Sequence, residues 1–337
     1  MHTGGRVLRD GGGYIYQWPG VYFETAFHGQ EIAFAVGPGE VILHVRVDGQ
    51  PVATLVRPAP GVYRVDGLAD APHTVRIDIA TEHQAGPKRF DGFLLPPGSR
   101  ALPLPRREAR IEFVGDSHTV GYGNLSGTRD CSEAEVWERT DNTRAFGPLL
   151  ARHYDADYRI SAISGRGVVR NYAGGPGRTL PQAWPHALLD GHAVADDGWD
   201  PQAIVVALGT NHFSTPLHPG ERWPDAERLR ADFVARYAAF LRALRARDPD
   251  AYLLVWATAL HEGRISAAAQ AAVAELRDSG ETRIGFVEVD GLDMGGCHFH
   301  PSLTDHVRIA SLLRAHLDAH AGPWTNAPHS GSSGLDR

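Results

Sequence analysis

The stretch Ile111-Glu112-Phe113-Val114-Gly115-Asp116-Ser117-His118-Thr119 decides the architecture of the chain. A short apolar run stops at a glycine and gives way to small polar residues, which is how a buried strand ends and a helix begins. The same kind of run recurs at Tyr158 to Ser161, Ala203 to Leu208, Tyr252 to Ala257 and Ile284 to Val289, with helical segments between. Alternation of this kind predicts an α/β domain on a parallel sheet. Leu229, Phe233, Tyr237, Phe240, Leu241 and Leu244 form one helical stripe, and Val307, Ala310, Leu313 and Leu317 a second, both expected to face the core. Ligands of open α/β sheets gather at the carboxyl ends of the strands, so Ser117 stands where chemistry takes place.

Toward the N-terminus the pattern changes. Val21 to Phe27, Ile32 to Val36, Val41 to Val47, Val52 to Val56, Val62 to Val65, Thr74 to Ile79 and Gly92 to Leu95 are short β-branched and aromatic runs separated by Gly, Pro and Asp. Asp48-Gly49 between two of them is a hairpin signal, because both central positions of a type I′ turn need positive φ. This half reads as an all-β sandwich of jelly-roll type. Pro96-Pro97-Gly98 through Pro103-Leu104-Pro105 breaks all periodicity and reads as a linker. The expected division is a sandwich over 1–107, the α/β domain over 108–322 and a Gly/Ser-rich, disordered tail over 323–337.

Composition excludes several classes. The chain has 337 residues, 42% of them hydrophobic and 22% charged, as a folded chain of about two domains requires. Its net charge of −7 supplies no overall positive field for a phosphate backbone, so nucleic acid is not an expected partner. No run approaches the roughly 18 apolar residues of a membrane span. The first residues lack a charged region followed by an apolar stretch, so no signal peptide is read there, although a trimmed chain would look the same. Oligomeric state is not legible.

Candidate chemistry lies at the strand ends. Ser117 can be a plain helix cap, or a hydroxyl exposed beside free N–H groups able to hold an oxyanion. Gly165, in Ile163-Ser164-Gly165-Arg166-Gly167, and Asn211, in Leu208-Gly209-Thr210-Asn211, can each be turn residues or donors toward the same point. His300, in Gly296-Cys297-His298-Phe299-His300-Pro301-Ser302, sits in a loop that Pro301 partly fixes. The crowded set Cys297, His298, His300 and His306 matches no established zinc spacing, so no metal is expected. Gly121-Tyr122-Gly123 and Gly165-Arg166-Gly167 lack the third glycine of a dinucleotide fingerprint, no Walker sequence occurs, and no cofactor is expected. There is no Gly-x-Ser-x-Gly nucleophile elbow.

Gly115-Asp116-Ser117, Gly165, Gly209-Thr210-Asn211 and His300-Pro301-Ser302 fall in the order of the SGNH (GDSL) hydrolases. Together with Gly121-Tyr122-Gly123-Asn124, Ser164 to Tyr172, Gly296-Cys297 before His300 and Trp18-Pro19-Gly20 near the start, they resemble carbohydrate esterase family 2, which also carries an N-terminal jelly roll. The resemblance implies a three-layer, flavodoxin-like SGNH domain. It implies cofactor-free hydrolysis of O-acetyl esters on an oligo- or polysaccharide, with Ser117 as nucleophile, His300 as base, and Ser117 N–H, Gly165 N–H and the Asn211 amide as oxyanion donors. Secretion or a periplasmic location is implied by the resemblance alone. Tyr122, His212 and Phe299 are candidates for contact with sugar. Alternatives are a carbohydrate-binding protein on an esterase scaffold and an SGNH lipase or acyl thioesterase.

The family pattern is broken in three places. His298 stands two positions before the base, where some members carry an acid, Cys297 stands where the broader SGNH pattern has aspartate, and His212 follows Gly209-Thr210-Asn211 where aspartate is usual. A dyad is therefore expected, oriented by a main-chain carbonyl, with His298 or Asp293 as possible orienting residues and Asp290 and Asp305 as other nearby acids. Cys131 and Cys297 lie in loops expected to border one cleft. A disulfide between them and two free thiols both remain open.

Overall fold

The computed structural model describes residues 1–189, 191 and 198–320. The expected tail, 323–337, lies outside the described residues. The N-terminal part consists of β1 (His2–Gly4), β2 (Val7–Asp10), β3 (Gly13–Tyr16), β4 (Tyr22–Gly29), β5 (Ile32–Val36), β6 (Ile42–Val47), β7 (Gln50–Val56), β8 (Gly61–Val65), β9 (Ala71–Ile79), β10 (Lys88–Leu94) and β11 (Arg100–Leu102). They form two antiparallel sheets, β1-β4-β9-β6-β7 with β11 beside β4, and β2-β3-β10-β5-β8. Tyr16, Phe23, Phe27, Phe34, Ile77 and Phe90 fill the space between the sheets. Asp48 and Gly49 turn β6 into β7 at φ 51° and 77°, as the sequence predicts.

One expectation changes here. The proline-rich linker contains a strand, because β1 covers only Tyr22 to Glu24 of one edge of β4 and β11 pairs with Ala26 to His28 of the same edge. Without it those backbone groups would be an open sheet edge.

The second part is a five-stranded parallel sheet in the order β13 (Asp157–Ala162), β12 (Arg110–Gly115), β14 (Ala203–Ala207), β15 (Tyr252–Thr258), β16 (Ile284–Val289). Both faces are covered. Val114, Val206 and Val255 pack toward the helices Ala226–Arg247 and Arg264–Asp278, while Phe113, Val205 and Trp256 pack toward Phe146–His153 and Leu303–Ala319. The last helix corrects one residue of its predicted stripe: Val307 is 55% exposed, and His306, Ile309, Ala310, Leu313 and Leu317 form the buried face. Position 307 lies about 100° around the helix from 306, which turns it to water.

The two parts share their cores. Trp18 belongs to one sheet-face cluster and Tyr22 to the other. Arg6 is buried and donates to Glu112 of β12 at 2.9 Å, while Ser161 Oγ and Trp184 Nε1 donate to the same carboxylate at 2.6 and 3.0 Å. Burial raises the Glu112 pKa, but the Arg247 and Arg6 guanidiniums outweigh it and hold the carboxyl at about 2. The sandwich thus meets the parallel sheet through a paired, hydrogen-bonded buried charge.

Candidate active site

β12 ends at Gly115, and the next residue, Asp116, caps the helix Ser117–Val120 by accepting the His118 N–H at 3.1 Å. Since Asp116 does the capping, the Ser117 hydroxyl is released from that task. Ser117 Oγ lies 2.9 Å from His300 Nε2. On the other side of the ring, His300 Nδ1 donates to the Cys297 carbonyl at 2.9 Å. A carbonyl only accepts, so Nδ1 carries the proton and Nε2 presents its lone pair to the serine hydroxyl. Burial lowers the His300 pKa to about 4, although the Cys297 and His298 carbonyls pull it upward. The imidazole is therefore neutral at physiological pH. Tyr122 packs over the ring with centroids 4.2 Å apart, and His118 meets it edge-on at 5.5 Å.

The donor side is built by the loop after β13. Ile163 N–H donates to Gly115 O, Ser164 N–H to Glu82 Oε1, Arg166 N–H to Ile163 O and Gly167 N–H to Asn171 Oδ1. The carbonyls of Ser164, Gly165, Arg166 and Gly167 accept from Gln84 Nε2, Tyr172 N, Asn211 Nδ2 and Leu180 N. From Ile163 to Gly167 a single backbone polar group, the Gly165 N–H, has no partner among the described residues. Buried or half-buried backbone groups are nearly always paired, which leaves this N–H available to a ligand. Gly165 has φ +78°, a left-handed conformation that costs a glycine little. Asn211 Nδ2 donates to Arg166 O at 2.9 Å and to Asp116 Oδ2 at 3.2 Å, tying the loop after β13 to the turn before Ser117.

Residues 3–105 match the Carbohydrate esterase 2 N-terminal family, and residues 113–321 the GDSL-like Lipase/Acylhydrolase family. The chain is 40% identical over 331 residues to an acetylxylan esterase / glucomannan deacetylase of Cellvibrio japonicus, covering 96% of this chain and 92% of that protein. The chain belongs to the GDSL-like acylhydrolases and, within them, to carbohydrate esterase family 2. A solved carbohydrate esterase at 40% identity superposes with a TM-score of 0.91, covering 96% of this chain and 98% of its own. A family two carbohydrate esterase from Clostridium thermocellum, solved with cellohexaose, follows at 27% identity and TM-score 0.85, with coverage of 96% and 99%.

The places where this esterase departs from the family pattern have physical explanations. No carboxylate is among the hydrogen-bond partners of His300 in the described residues. Asp293 is exposed and turns its Oδ1 to the Gly295 N–H at 2.6 Å, Asp290 pairs with Arg308, and Asp305 accepts the N–H of Ser302, the cap of the last helix, together with those of Asp293 and Met294. The His298 side chain does not hydrogen-bond to His300 either. Its Nε2–H donates to Cys131 O at 2.7 Å, and its Nδ1 accepts from the Tyr122 hydroxyl at 3.1 Å. His212 is 1% exposed and takes no part in a substrate surface, contrary to expectation. Its Nε2 accepts the N–H groups of Val168, Val169 and Arg170 at 3.1, 3.0 and 3.3 Å, so a neutral imidazole serves as a main-chain acceptor. Burial lowers its pKa to about 3, which keeps that lone pair free.

The loop of His300 is held by a segment that sequence reasoning did not single out. Arg129 donates from Nε to Met294 O at 2.9 Å and from its terminal nitrogen to Asp293 O at 2.6 Å, lies over the Phe299 ring at 4.9 Å, and offers its own carbonyl to the His298 N–H. Cys131 and Cys297 form a disulfide, with Cα atoms 5.5 Å apart, which resolves the open choice about the two thiols. Gly123 packs so closely on Cys297 that a Cβ there would come within 2.4 Å of the cysteine Cβ. Of the crowded metal candidates, Cys297 is committed to the disulfide and the buried His306 accepts the Phe146 N–H through Nδ1. Phe299, next to His300 in the chain, is 64% exposed, and Tyr172, whose N–H donates to Gly165 O, is 55% exposed.

Proposed function

We propose that this esterase removes O-acetyl groups from a β-linked polysaccharide of the xylan or glucomannan kind, through an acetyl-serine intermediate on a Ser117–His300 dyad. The observation that carries the reading is the line Cys297 O, His300 Nδ1–H, His300 Nε2, Ser117 Oγ, with a 2.9 Å contact at each end. As Ser117 Oγ bonds to the acetyl carbon, its proton passes to His300 Nε2 and the carbonyl electron pair moves onto oxygen. Collapse expels the sugar oxygen, which takes that proton. Water then attacks the acetyl-serine, gives a proton to the same nitrogen, and acetate leaves as Ser117 recovers its hydrogen. The N–H groups of Gly165 and Ser117 hold the oxyanion, while the Asn211 amide, expected as a third donor, gives its two hydrogens to Arg166 O and Asp116 Oδ2 and holds the loop of Gly165. Tyr122, Phe299 and Tyr172 offer faces on which a sugar ring can stack.

The exposed rings of Phe299 and Tyr172 suit contact with a sugar polymer, whereas a long acyl chain needs an apolar tunnel. The apolar groove formed by Val168, Pro181, Trp184 and Phe240 includes neither Ser117 nor His300. The Cys131–Cys297 bond fits an oxidising compartment, in support of a secreted or periplasmic location. The test is acetate release from acetylated xylan and glucomannan, beside hydrolysis of acetyl and octanoyl chromogenic esters. The expected result is acetate release and a strong preference for acetyl, both abolished in Ser117→Ala. Octanoyl preference, or retained activity in Ser117→Ala, overturns the reading.

A further inference from the structure

The donor loop is set from the other domain. Gln84, in the sandwich segment between β9 and β10, donates from Nε2 to the Ser164 carbonyl at 3.1 Å. That carbonyl and the Gly165 N–H belong to one peptide unit. In a planar trans peptide the C=O and N–H point in opposite directions, so whatever holds the oxygen aims the hydrogen. Glu82 holds the preceding peptide through the Ser164 N–H at 2.7 Å, and the Tyr172 N–H holds the following one through Gly165 O at 2.8 Å. Among the described residues Gln84 alone holds the peptide that carries the free donor.

We propose that Gln84 is a positioning residue that fixes the direction of the Gly165 N–H toward the oxyanion, which makes the sandwich domain part of the catalytic machinery. The proposal rests on the reading of Gly165 as an oxyanion donor. Two further features support it. Gly165 sits at φ +78° with no atom nearer to a built Cβ than Tyr172 Cβ at 3.9 Å, so neither a side chain nor close packing keeps this peptide from turning over. The second Nε2 hydrogen of Gln84 donates to Glu82 Oε1 at 3.1 Å, which keeps the amide in place and its donor toward Ser164. A hydrogen bond received at the carbonyl also polarises the peptide and strengthens its N–H as a donor. The effect is absent from the ground-state ester and largest when the oxygen becomes an anion, so it belongs in kcat.

Gln84 is exposed, and Gln84→Met keeps the length of the side chain while removing the donor. On a chromogenic acetate ester, kcat of Gln84→Met should fall about ten-fold, less than the hundred-fold or more that follows loss of a whole donor, with KM within about two-fold. Affinity for a small boronic acid, which becomes a tetrahedral anion on serine, should fall by the same factor as kcat while the melting temperature stays at the wild-type value. Wild-type kcat in Gln84→Met, or a loss confined to KM, overturns the proposal. If Ser117→Ala is inactive while Gln84→Met matches wild type, the proposal fails and the dyad reading stands. If Ser117→Ala retains activity, the dyad reading fails and takes the proposal with it.

Discussion

The loop that carries His300 and the loop that offers the Gly165 N–H both hold a short backbone segment against the nucleophile, and they do so by different means. The base loop places non-glycine residues in left-handed conformations, with φ 51° at Met294, 51° at His298 and 60° at Phe299. Such conformations cost free energy and persist only where the surroundings enforce them. Here the enforcement comes from within the catalytic domain, through the disulfide, the Arg129 guanidinium and the Tyr122 and Cys131 contacts to His298. The loop after β13 uses glycine where the left-handed conformation is needed and adds to its contacts within the α/β domain two from Glu82 and Gln84 of the sandwich. On the proposed mechanism the covalent clamp serves the base, whose ring must not move during proton transfer, and domain docking adds to the restraint of the donors.

Breaking the clamp is the larger perturbation. Replacing Cys131 and Cys297 by serine opens a link between residues 166 positions apart, for which a loss of roughly 2–4 kcal/mol is typical. Chemical denaturation should show that loss, and kcat should fall with little change in KM because the donor loop is untouched. An unchanged kcat would show that Arg129 suffices to place the base.

The acid limb of the pH profile is a finer probe of the same loop. With its pKa lowered to about 4, chiefly by burial, His300 is protonated and inactive only below that pH. The kcat/KM value should therefore rise through pH 4 and be flat by neutrality. A carboxylate behind the imidazole would favour its charged form and carry the limb toward 6.5 or higher. An acid limb near neutrality would contradict an imidazole oriented only by a carbonyl.

How legible each loop was in the sequence follows from how it is held. The five parallel strands announced themselves as apolar runs, and Ser117, Gly165, Asn211 and His300 as small or polar residues where those runs or the following loops end. Glu82 and Gln84 lie in a loop without periodicity, and what they hold is main chain eighty positions away, which leaves no pattern of residue types. The Cys297 carbonyl is equally silent, since any residue could supply it. Arg129 is one arginine among many until its two carbonyl acceptors are seen. His212 misled because its position was read as a surface, whereas the three N–H groups it accepts are buried with it. The strand Arg100–Leu102 was hidden by its flanking prolines.

The smallest predicted change tests the dyad most directly. Asp293 shares the loop of the base but spends its carboxylate on the Gly295 N–H. Measured as kcat/KM on an acetyl ester, Asp293→Asn should stay within about two-fold of wild type, whereas His300→Ala should lose roughly 10⁴-fold or more, as removal of a general base does in serine hydrolases. A folded Asp293→Asn as inactive as His300→Ala would show that a displaced carboxylate completes a triad and that the carbonyl of Cys297 does not orient the base alone.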